Sequence, residues 1–438
     1  MTRKRVVIIG AGFSGVCLAA HLARRGGKAP RTTLIDKAAR FGLGLAYGTQ
    51  DPAHLLNVRA SNMSAFADKP DDFSAWCARQ GGISGEFAPR MMFGKYVEQI
   101  LAQSTGLFAP VSRKRGAVIA CTRAGRGWRL TLEGGATLDA DAVVLATGNR
   151  GAPPLAVLEA AGVAAIDPWD ARALHRVPSG DVLMIGTGLT MVDAALTLAA
   201  KRNGVIYALS RRGLLPRSHA DRVSVQHAPI ALPLPLSEAL AAFRAEVEAA
   251  AAQGEPWQFV MDRLRPQTTE LWRRLPIEAQ RRFLRHLRPW WDVHRHRMAP
   301  PVAAQIAELQ REGRLRLLAG ELVSVAQRGR SLLVLHRQRG SMVRHRLEVA
   351  GIVNCTGGAS DVRGFNDPLF QQMLRDGLMR ACPNGLGLDI DEEGRVRDAA
   401  GAAQAGLFTI GPPTQGALWE STAVPNIRVD AARLAQLL

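Results

Sequence analysis

Cysteine is scarce in this sequence, and the copies that it has are far apart. The 438 residues include five cysteines, at positions 17, 77, 121, 355 and 382, and no two of them form a C-x-x-C pair. This spacing excludes a disulfide framework, a zinc ribbon and a dithiol redox motif. It fits a chain that stays in a reducing compartment, so we expect a cytoplasmic protein.

Long apolar segments are missing as well. No run of 18 apolar residues is free of both charge and glycine, so we expect no membrane-spanning helix and no membrane partner. Basic residues at 3–5 precede an apolar run, as in a secretory signal, but glycines interrupt that run and the pattern continues to Asp36. We therefore expect no cleaved leader.

Lysine is rare, whereas arginine is abundant. Of the 56 basic residues 7 are lysines and 49 are arginines, and against 38 acidic residues they give a formal net charge of +18. The resulting positive field favours anionic ligands, nucleotides among them. The chain is 47% hydrophobic, and at this length it can bury roughly two or three cores.

A glycine-rich turn stands near the N-terminus, between a predicted apolar strand and a helix. Gly10, Gly12 and Gly15 have the spacing G-x-G-x-x-G. In this context the first glycine permits a tight turn, the second lets the backbone approach a pyrophosphate, and the third lets the helix pack on the strand. Ser14 adds a hydroxyl donor, and Asp36, 21 residues after Gly15, is placed to bind ribose hydroxyls. The pattern predicts a dinucleotide-binding site.

The same order of elements occurs twice, which indicates an internal duplication. Each half has a strand, a glycine turn, a helix, a strand, a small β-meander and a returning strand that ends in Thr-Gly, at 147–148 and at 356–357. The second copy has Gly186 and Gly188 but Met191 in the place of the third glycine. We therefore predict an α/β protein with two Rossmann-like dinucleotide-binding domains and small β-meanders.

No acid ends the second strand of the second copy. Arg211 stands 20 residues after Met191, where the first half has Asp36, and Arg212 follows it. A guanidinium group at this place fits a ribose 2′-phosphate, which favours NADPH over NADH. The alternative is that both are surface arginines of an arginine-rich chain.

A helical insertion rich in arginine and tryptophan interrupts the second half, at about 222–301. Ser237 is predicted to cap its first helix, which ends near Gly254. Three roles are open: a structural cap over the cofactor cleft, a site for a phosphate or an acidic substrate, or a surface for single-stranded nucleic acid. The aromatic spacing is typical of a helix core and no RNA-binding signature accompanies it, so we favour the first role and do not expect nucleic acid.

His294 and His296 form an H-x-H pair at the end of this insertion. No nearby Cys, Glu or third His completes a ligand set, so we predict no metal site. They are either structural histidines or, together with Arg295 and Arg297, residues beside the cofactor phosphates or the substrate. In the second case they are the candidate catalytic residues.

These features together resemble flavoproteins with two dinucleotide-binding domains, in which the first domain holds FAD and the second NAD(P)H. The sequence is more similar still to the bacterial FAD-NAD(P)-binding protein family (the YdhS-like group). The similarity extends over essentially the whole chain and is clearest in the segments 41–47, 54–58, 209–216, 283–289, 293–298 and 418–422.

The resemblance implies which residues hold the cofactors. Those implied for FAD are Gly10, Gly12, Phe13, Ser14, Gly15, Asp36, Lys37, Asn57, Val118, Thr147, Gly148 and Gly411. Those implied for NADPH are Gly186, Gly188, Thr190, Arg211 and Arg212. Val118 would meet the adenine through its backbone, and Gly411 would approach the ribityl chain. Many relatives have Asp after that glycine, whereas this chain has Pro412.

The resemblance also implies a function, that of an FAD-dependent, NADPH-using oxidoreductase. Similar flavoproteins with a helical insertion include N-hydroxylases, so we expect a monooxygenase that acts on a small nucleophilic nitrogen or sulfur substrate. The alternatives are an NADPH-dependent reductase of a small molecule or protein partner, and a non-enzymatic nucleotide-sensing protein that docks an anionic partner. The predicted segments are 1–154 for the first part of the FAD domain, 155–345 for the NADPH domain and 346–438 for the return of the FAD domain. The oligomeric state stays open.

Overall fold

The computed structural model describes residues 3–105, 110–201, 204–221, 230, 232 and 235–438. The fold of these residues is α/β, and they form two six-stranded sheets and a separate three-stranded sheet. The strands are β1 (Arg5–Ile9), β2 (Arg31–Asp36), β3 (Val111–Arg115), β4 (Val118–Ala124), β5 (Gly127–Leu132), β6 (Thr137–Ala140), β7 (Ala142–Leu145), β8 (Val182–Ile185), β9 (Ile206–Ser210), β10 (Leu315–Arg328), β11 (Ser331–Gln338), β12 (Arg344–Val349), β13 (Gly351–Asn354), β14 (Arg395–Arg397) and β15 (Ala403–Thr409). The α-helices are α1 (Phe13–Ala23), α2 (Asp72–Arg79), α3 (Arg90–Ser104), α4 (Ala156–Ala160), α5 (Ala171–His175), α6 (Leu189–Ala199), α7 (Leu236–Ala252), α8 (Trp257–Leu264), α9 (Thr268–Arg274), α10 (Ile277–His286), α11 (Arg288–Arg295), α12 (Pro300–Arg311), α13 (Pro368–Arg375), α14 (Gln415–Leu418) and α15 (Val424–Leu437).

The first sheet has the strand order β14-β15-β7-β1-β2-β3. β1 pairs in parallel with β2, with Val6 opposite Thr32, and with β7, with Val6 opposite Ala142. β15, from near the C-terminus, pairs in parallel with β7. The first and last parts of the chain therefore form one sheet, and the glycine turn after β1 lies in its interior.

Side chains of β1 alternate between the two faces of this sheet, because successive residues of a strand point to opposite sides. Val6 and Ile8 are buried in a core that includes residues of α1, α3 and α15. Val7 and Ile9 are buried on the other face with Trp128 of β5 and with residues of α13. The first meander, β4 to β6, thus covers the sheet instead of extending it.

The second sheet has the strand order β12-β11-β10-β9-β8-β13, with β8 parallel to both β9 and β13. β10 is 14 residues long, and it pairs in parallel with β9 through its first part and antiparallel with β11 through its second. The second meander is therefore continuous with the parallel sheet. The first half differs because its corresponding strand stops at Arg115 and a new strand begins at Val118.

Within the described residues, the helical insertion contains α7 to α11. α7 begins at Leu236, after Pro235 and without a side-chain cap. The predicted cap by Ser237 is therefore wrong, since that residue lies inside the helix. The start of the insertion at 222 lies outside the described residues. Among the helices that the structure describes, none is both long and apolar enough to cross a lipid bilayer.

Strand pairing bears on where the second domain ends. β12 pairs with β11 and β13 pairs with β8, so both strands belong to the second sheet. A boundary between residues 345 and 346 would divide β12. We therefore propose a division after Asn354, and the other predicted boundaries stay predictions.

Candidate functional site

The turn after β1 has the geometry that its glycines predict. Gly10 has a φ of +105°, and a side chain there would overlap the carbonyl of Ala146. A side chain on Gly15 would overlap the carbonyl oxygen of Gly10, so α1 packs directly on the turn. α1 begins at Phe13, with Gly12 before it and no side-chain cap. The N–H groups of its first turn are therefore available to an anion.

Asp36 closes this turn from the end of β2. Its Oδ2 accepts a hydrogen bond from the Ala11 N–H at 2.6 Å, and its Oδ1 accepts one from the Ala38 N–H at 2.8 Å. The carboxylate is partly exposed, and the neighbouring Lys37 is exposed. The backbone thus fixes this acid beside the glycine turn, where the sequence predicts the ribose.

The C-terminal part of the chain completes this first site. Gly411 follows β15 with a φ of +78°, and a side chain there would overlap Ser14 Oγ. Ser14 is buried, so only a residue without a Cβ lets the end of the last strand come this close to α1. Phe13 is buried too, with its ring centroid 5.4 Å from that of Phe93. Its ring belongs to the core, and only its backbone is left for a ligand.

Three more residues implied for FAD lie in different surroundings. Thr147 Oγ1 is buried and has no hydrogen-bond partner among the described residues. Val118 is buried at the start of β4. The Asn57 carbonyl accepts a hydrogen bond from His219 Nε2 at 2.9 Å. Because an unsatisfied buried hydroxyl is costly, Thr147 is the residue of this group whose environment favours a bound ligand.

The turn after β8 repeats the first turn closely. Gly186 also has a φ of +105°, and a side chain there would overlap the Cys355 carbonyl. A side chain on Gly188 would meet no atom within 4 Å, so the space beside it is open. Met191, in the place of the third glycine, is fully buried. The two halves therefore present two equivalent turns, each at the end of a central strand.

Backbone pairing corrects the position that we predicted for Arg211. The Gly10 N–H donates to Ile35 O, and the Gly186 N–H donates to Leu209 O, both at 2.8 Å. The residue equivalent to Asp36 is therefore Ser210, and Arg211 is equivalent to Lys37, one residue later. Counting from the third glycine position misses this offset, because the chain between that position and the end of the next strand differs in length between the two halves.

Ser210 leaves this second strand end without a carboxylate. Its Oγ accepts hydrogen bonds from Thr187 Oγ1 at 2.9 Å and from the Gly213 N–H at 3.0 Å. Arg211 is exposed and lines a groove of about 440 Å³ together with Arg337 and Arg339. The groove thus has three guanidinium groups, of which Arg337 is paired with Glu321. Arg212 is not among its lining residues.

The two Thr-Gly strand ends open on one cleft. A part of about 230 Å³ is lined by Gly148, and a part of about 160 Å³ is lined by Gly357. Asn149 and Gly358 line both parts. The Ala359 N–H donates to the Gly151 carbonyl at 3.3 Å, so the two ends are in direct contact. Thr190, implied for NADPH, lines the second part.

The two candidate histidines lie in different places. His296 lines the cleft with Arg288 and Asp292, and its Nδ1 is 3.7 Å from Asp292 Oδ1. Confinement in the cleft lowers the pKa of His296, and Asp292 opposes that shift. His294 instead donates through Nδ1 to the Trp290 carbonyl at 2.7 Å and packs edge-on against Trp257. Within the described part of the chain, no group of three metal-ligating side chains occurs.

Several arginines of the helical insertion are buried, and the sequence does not predict their ion pairs. Arg295 is paired with Glu420 at 2.6 Å, with side chains 9% and 3% exposed. Arg297 is paired with Asp262. Burial lowers the pKa of Arg265 to about 10, and the nearby Arg295 adds to that shift. No local pattern marks these pairs, because the first joins positions 125 apart.

The first third of the chain matches a known family. Residues 7–150 match the family described as FAD-NAD(P)-binding. Among curated proteins, none matches this sequence. The finer assignment to the YdhS-like group stays a prediction.

Solved structures similar to the whole chain include three that differ in activity. The ornithine N-hydroxylase of Kutzneria sp. 744, in a complex with reduced FAD, NADP⁺ and L-ornithine, has a TM-score of 0.68 at 15% identity, covering 100% of this chain and 99% of that chain. The L-lysine 6-monooxygenase of Pseudomonas syringae has a TM-score of 0.69 at 17% identity, covering 99% and 98%. The thioredoxin reductase of Lactococcus lactis has a TM-score of 0.54 at 13% identity, covering 99% and 97%.

At these identities the likeness is one of fold. Residues 7–150 are therefore similar to the FAD-NAD(P)-binding family, and the whole chain has the fold of flavoproteins with two dinucleotide-binding domains.

Proposed function

We propose that this chain is an FAD-dependent oxidoreductase that uses NADPH and O₂ to oxygenate a small nucleophilic nitrogen or sulfur compound. The observation that carries the proposal is the shared cleft: both Thr-Gly strand ends, one from each glycine-turn half, lie against it. A nicotinamide held by one half can there meet a flavin held by the other. When bound, FAD would supply the redox chemistry, accepting a hydride and reducing O₂.

The residues of the first half fit FAD. Gly10, Gly12 and Gly15 leave the N–H groups of α1 free for the pyrophosphate. Asp36 is fixed beside them for the ribose hydroxyls. Thr147 has a buried hydroxyl that a ligand would satisfy. The start of α15, with Pro425 in its first turn, would place the positive end of a helix dipole at the ring system.

The second half fits NADPH. The open space beside Gly188 suits a pyrophosphate, and Ser210 presents no negative charge where Asp36 stands in the first half. Arg211 and Arg339 line the adjacent groove and would bind the 2′-phosphate. Arg339 is added to the residues that the sequence predicts to bind NADPH. Arg212 does not line this groove, so the structure offers no support for its predicted role.

Oxygenation is favoured over a dithiol relay. The ornithine and lysine enzymes of similar fold are amine monooxygenases by name. The described cysteines are all buried and unpaired. Burial raises the pKa of Cys17 and of Cys121 to about 12, so these thiols are unsuited to the thiolate chemistry of a disulfide reductase. His296, on the cleft wall, is the better of the two candidate catalytic residues.

One experiment tests the proposal. The purified protein should be yellow, and NADPH should bleach it anaerobically much faster than NADH does. With O₂ admitted and candidate amines and thiols added, one NADPH and one O₂ should be consumed for each oxygenated product, the second oxygen atom leaving as water. NADPH consumption that yields only hydrogen peroxide with every candidate would favour a reductase. If the protein is colourless and does not bind added FAD, the nucleotide-sensing alternative is favoured.

A further inference from the structure

A cavity with aromatic walls lies inside the helical insertion. Its volume is about 90 Å³. The side chains that we use to define this aromatic cavity are Ala239, Leu271, Trp272, Phe283, Trp291 and Trp419. They come from α7, α9, α10, α11 and the loop before α15, so the insertion and the C-terminal segment build the cavity together.

Trp419 has an unusual backbone. Its φ of +58° is the only positive value of a non-glycine residue in the described part of the chain, and its ψ is −63°. The Glu420 N–H donates to the Leu418 carbonyl at 2.7 Å, so Trp419 is the centre of a γ-turn of the rare, strained kind. Strain of this sort persists only where the surroundings impose it, and it is found mostly at functional sites.

This turn joins the aromatic cavity to the cleft. Trp419 is 5% exposed and stacks on Trp272, with ring centroids 4.7 Å apart. Thr422, three residues later, lines the cleft. The Arg288 guanidinium lies over the Trp419 ring at 5.9 Å and also lines the cleft. Trp419, which lines the aromatic cavity, and Arg288, which lines the cleft, are therefore neighbours between the two spaces.

α11 forms a second shared wall. Arg288 and Asp292, four residues apart, line the cleft, while Trp291 of the same helix lines the aromatic cavity. The Trp291 Nε1 is buried and has no hydrogen-bond partner among the residues that the structure describes. The Trp272 Nε1, by contrast, donates to Gly416 O at 2.8 Å. Since a buried indole N–H normally has a partner, Trp291 differs from Trp272 in leaving its N–H unsatisfied among the described residues.

Size and chemistry restrict what this cavity can hold. A closed apolar cavity of about 150 Å³ binds benzene. The space here is smaller, about 90 Å³, but its lining residues Ala239 and Leu271 are only half-buried and leave it open on one side. It therefore suits a phenyl ring or a branched alkyl group, not a peptide. Aromatic walls favour a ring that packs on them offset or edge-on. Charged groups are excluded from such a lining, since nothing there would compensate their desolvation.

We propose that the aromatic cavity is the specificity pocket for an apolar group of the substrate, whose reacting nitrogen or sulfur lies in the cleft. This inference rests on the proposed function. The Arg288 side chain is 35% exposed, and its displacement would let the substrate extend past Trp419 from one space into the other. The preferred substrate is therefore an aryl-alkyl or branched-alkyl amine or thioether, not a polar amino acid.

Binding without turnover tests this proposal. Protein loaded with oxidised FAD and NADP⁺ cannot turn over a substrate. Calorimetry and tryptophan fluorescence can therefore measure the binding of benzylamine and of ethanolamine, each in its own titration. We expect benzylamine to bind at least tenfold more tightly than ethanolamine and to change the fluorescence, because three tryptophans line the cavity. Equal affinities for the two amines, or no fluorescence change with benzylamine, would overturn the proposal.

A pair of matched variants locates the binding. Ala239→Phe fills the cavity from α7, whereas Ala241→Phe adds the same ring at an exposed position of the same helix. The first should weaken benzylamine binding at least tenfold and the second should not change it. Leu271→Trp fills the cavity from α9 and should repeat the effect if Ala239→Phe fails to fold. Wild-type benzylamine affinity in a folded cavity-filling variant would contradict the proposal.

The specificity pocket and the monooxygenase function can be tested independently. If benzylamine binds tightly and Ala239→Phe weakens that binding, but no oxygenated product forms, the monooxygenase function is rejected and the pocket is retained. If NADPH consumption is coupled to the oxygenation of polar amines, and Ala239→Phe does not change that reaction, the pocket is rejected and the function is retained.

Discussion

Arg90 Nη2 lies 2.9 Å from Asp193 Oδ2, and the two side chains are only 11% and 12% exposed. Arg90 begins α3 in the first half of the chain, and Asp193 lies on α6, which follows the second glycine turn. His54 adds to this contact, since its Nε2 is 2.8 Å from Thr197 Oγ1 of α6. The Thr197 hydroxyl donates to Asp51 Oδ2 at 2.8 Å. This polar network holds the second glycine-turn helix against the first half, and so fixes the cleft between them.

We expect Arg90→Met to destabilise the protein strongly. The substitution leaves the Asp193 carboxylate buried without its cation, and breaking a buried pair in this way costs about 3–5 kcal/mol. Burial already raises the pKa of Asp193 despite Arg90. Urea unfolding followed by circular dichroism measures the change in free energy.

Arg129→Met is the matched control for this substitution. Arg129 also pairs with an aspartate, Asp139 at 2.8 Å, but both side chains are about half exposed. Exposed pairs of this kind contribute little to stability, so no measurable change is expected. Equal effects of the two substitutions would show that burial does not decide the strength of the Arg90 pair.

Arg211→Ala should impair the use of NADPH but not of NADH. A charge-assisted contact to the 2′-phosphate contributes about 1.5–3 kcal/mol, so the KM for NADPH should rise roughly tenfold or more. Arg339 lines the same groove, so Arg339→Ala should act in the same direction. Steady-state flavin reduction with both nucleotides measures the effect.

The control for these arginines is Arg330→Ala. Arg330 is exposed in the turn between β10 and β11 and does not line the groove. If it raises the KM for NADPH as much as Arg211→Ala does, the effect comes from the overall charge of the protein. A parallel rise for NADH in Arg211→Ala would contradict the 2′-phosphate assignment.

Much of the fold could be predicted because its signals are local. The glycine turns after β1 and β8 require positive φ and close backbone approach, at Gly10 and Gly186 alike, and only glycine supplies both. The apolar runs of β1, β7 and β8 are short and bounded, as buried parallel strands are. The repeated order of elements then predicts two similar halves.

Other features depend on contacts that no local pattern records. The Arg295–Glu420 pair and the Gly411–Ser14 contact join distant parts of the chain. The equivalence of Ser210 with Asp36 depends on strand register, which counting from a helix residue does not give. The separation of His294 from His296 depends on where α11 ends, since the second lies just beyond the helix and turns into the cleft.

Gly411→Ala should destabilise the protein and release FAD more readily. A Cβ at this position would overlap Ser14 Oγ, and the φ of +78° is already unfavourable for alanine. Gly26→Ala is the control, because its φ of +59° is comparable while a Cβ there meets nothing within 4 Å. Gly26→Ala should lower the free energy of unfolding by about 1 kcal/mol, because of its backbone conformation alone. Gly411→Ala should lower it by about 2 kcal/mol more, because of the overlap with Ser14. Thermal unfolding measures the stability of each variant, and the FAD retained after dialysis measures cofactor binding. Equal losses of stability and of FAD in the two variants would mean that the Ser14 contact does not matter.

His219 makes stability depend on pH. Its Nε2 donates to the Asn57 carbonyl at 2.9 Å, its ring packs on Phe87 with centroids 5.0 Å apart, and Nδ1 is buried without a partner among the described residues. Burial lowers the pKa of His219 from 6.5 to about 3, and the nearby Arg297 adds to that shift. In the folded protein the imidazole therefore stays neutral through the mildly acidic range.

The sign of the effect follows from proton binding. Below pH 6.5 the unfolded chain gains a proton on His219 that the folded chain does not take up until about pH 3, so the unfolded state is favoured progressively as the pH falls through that interval. His219→Gln keeps an N–H donor for Asn57 but cannot titrate. The free energy of unfolding of the wild type, relative to this variant, should therefore fall by up to about 2 kcal/mol between pH 7 and pH 5. Urea unfolding of both proteins at the two pH values measures the difference. A constant difference would mean that the folded protein protonates His219 as readily as the unfolded chain does, and that the imidazole is not confined between Asn57 and the arginines.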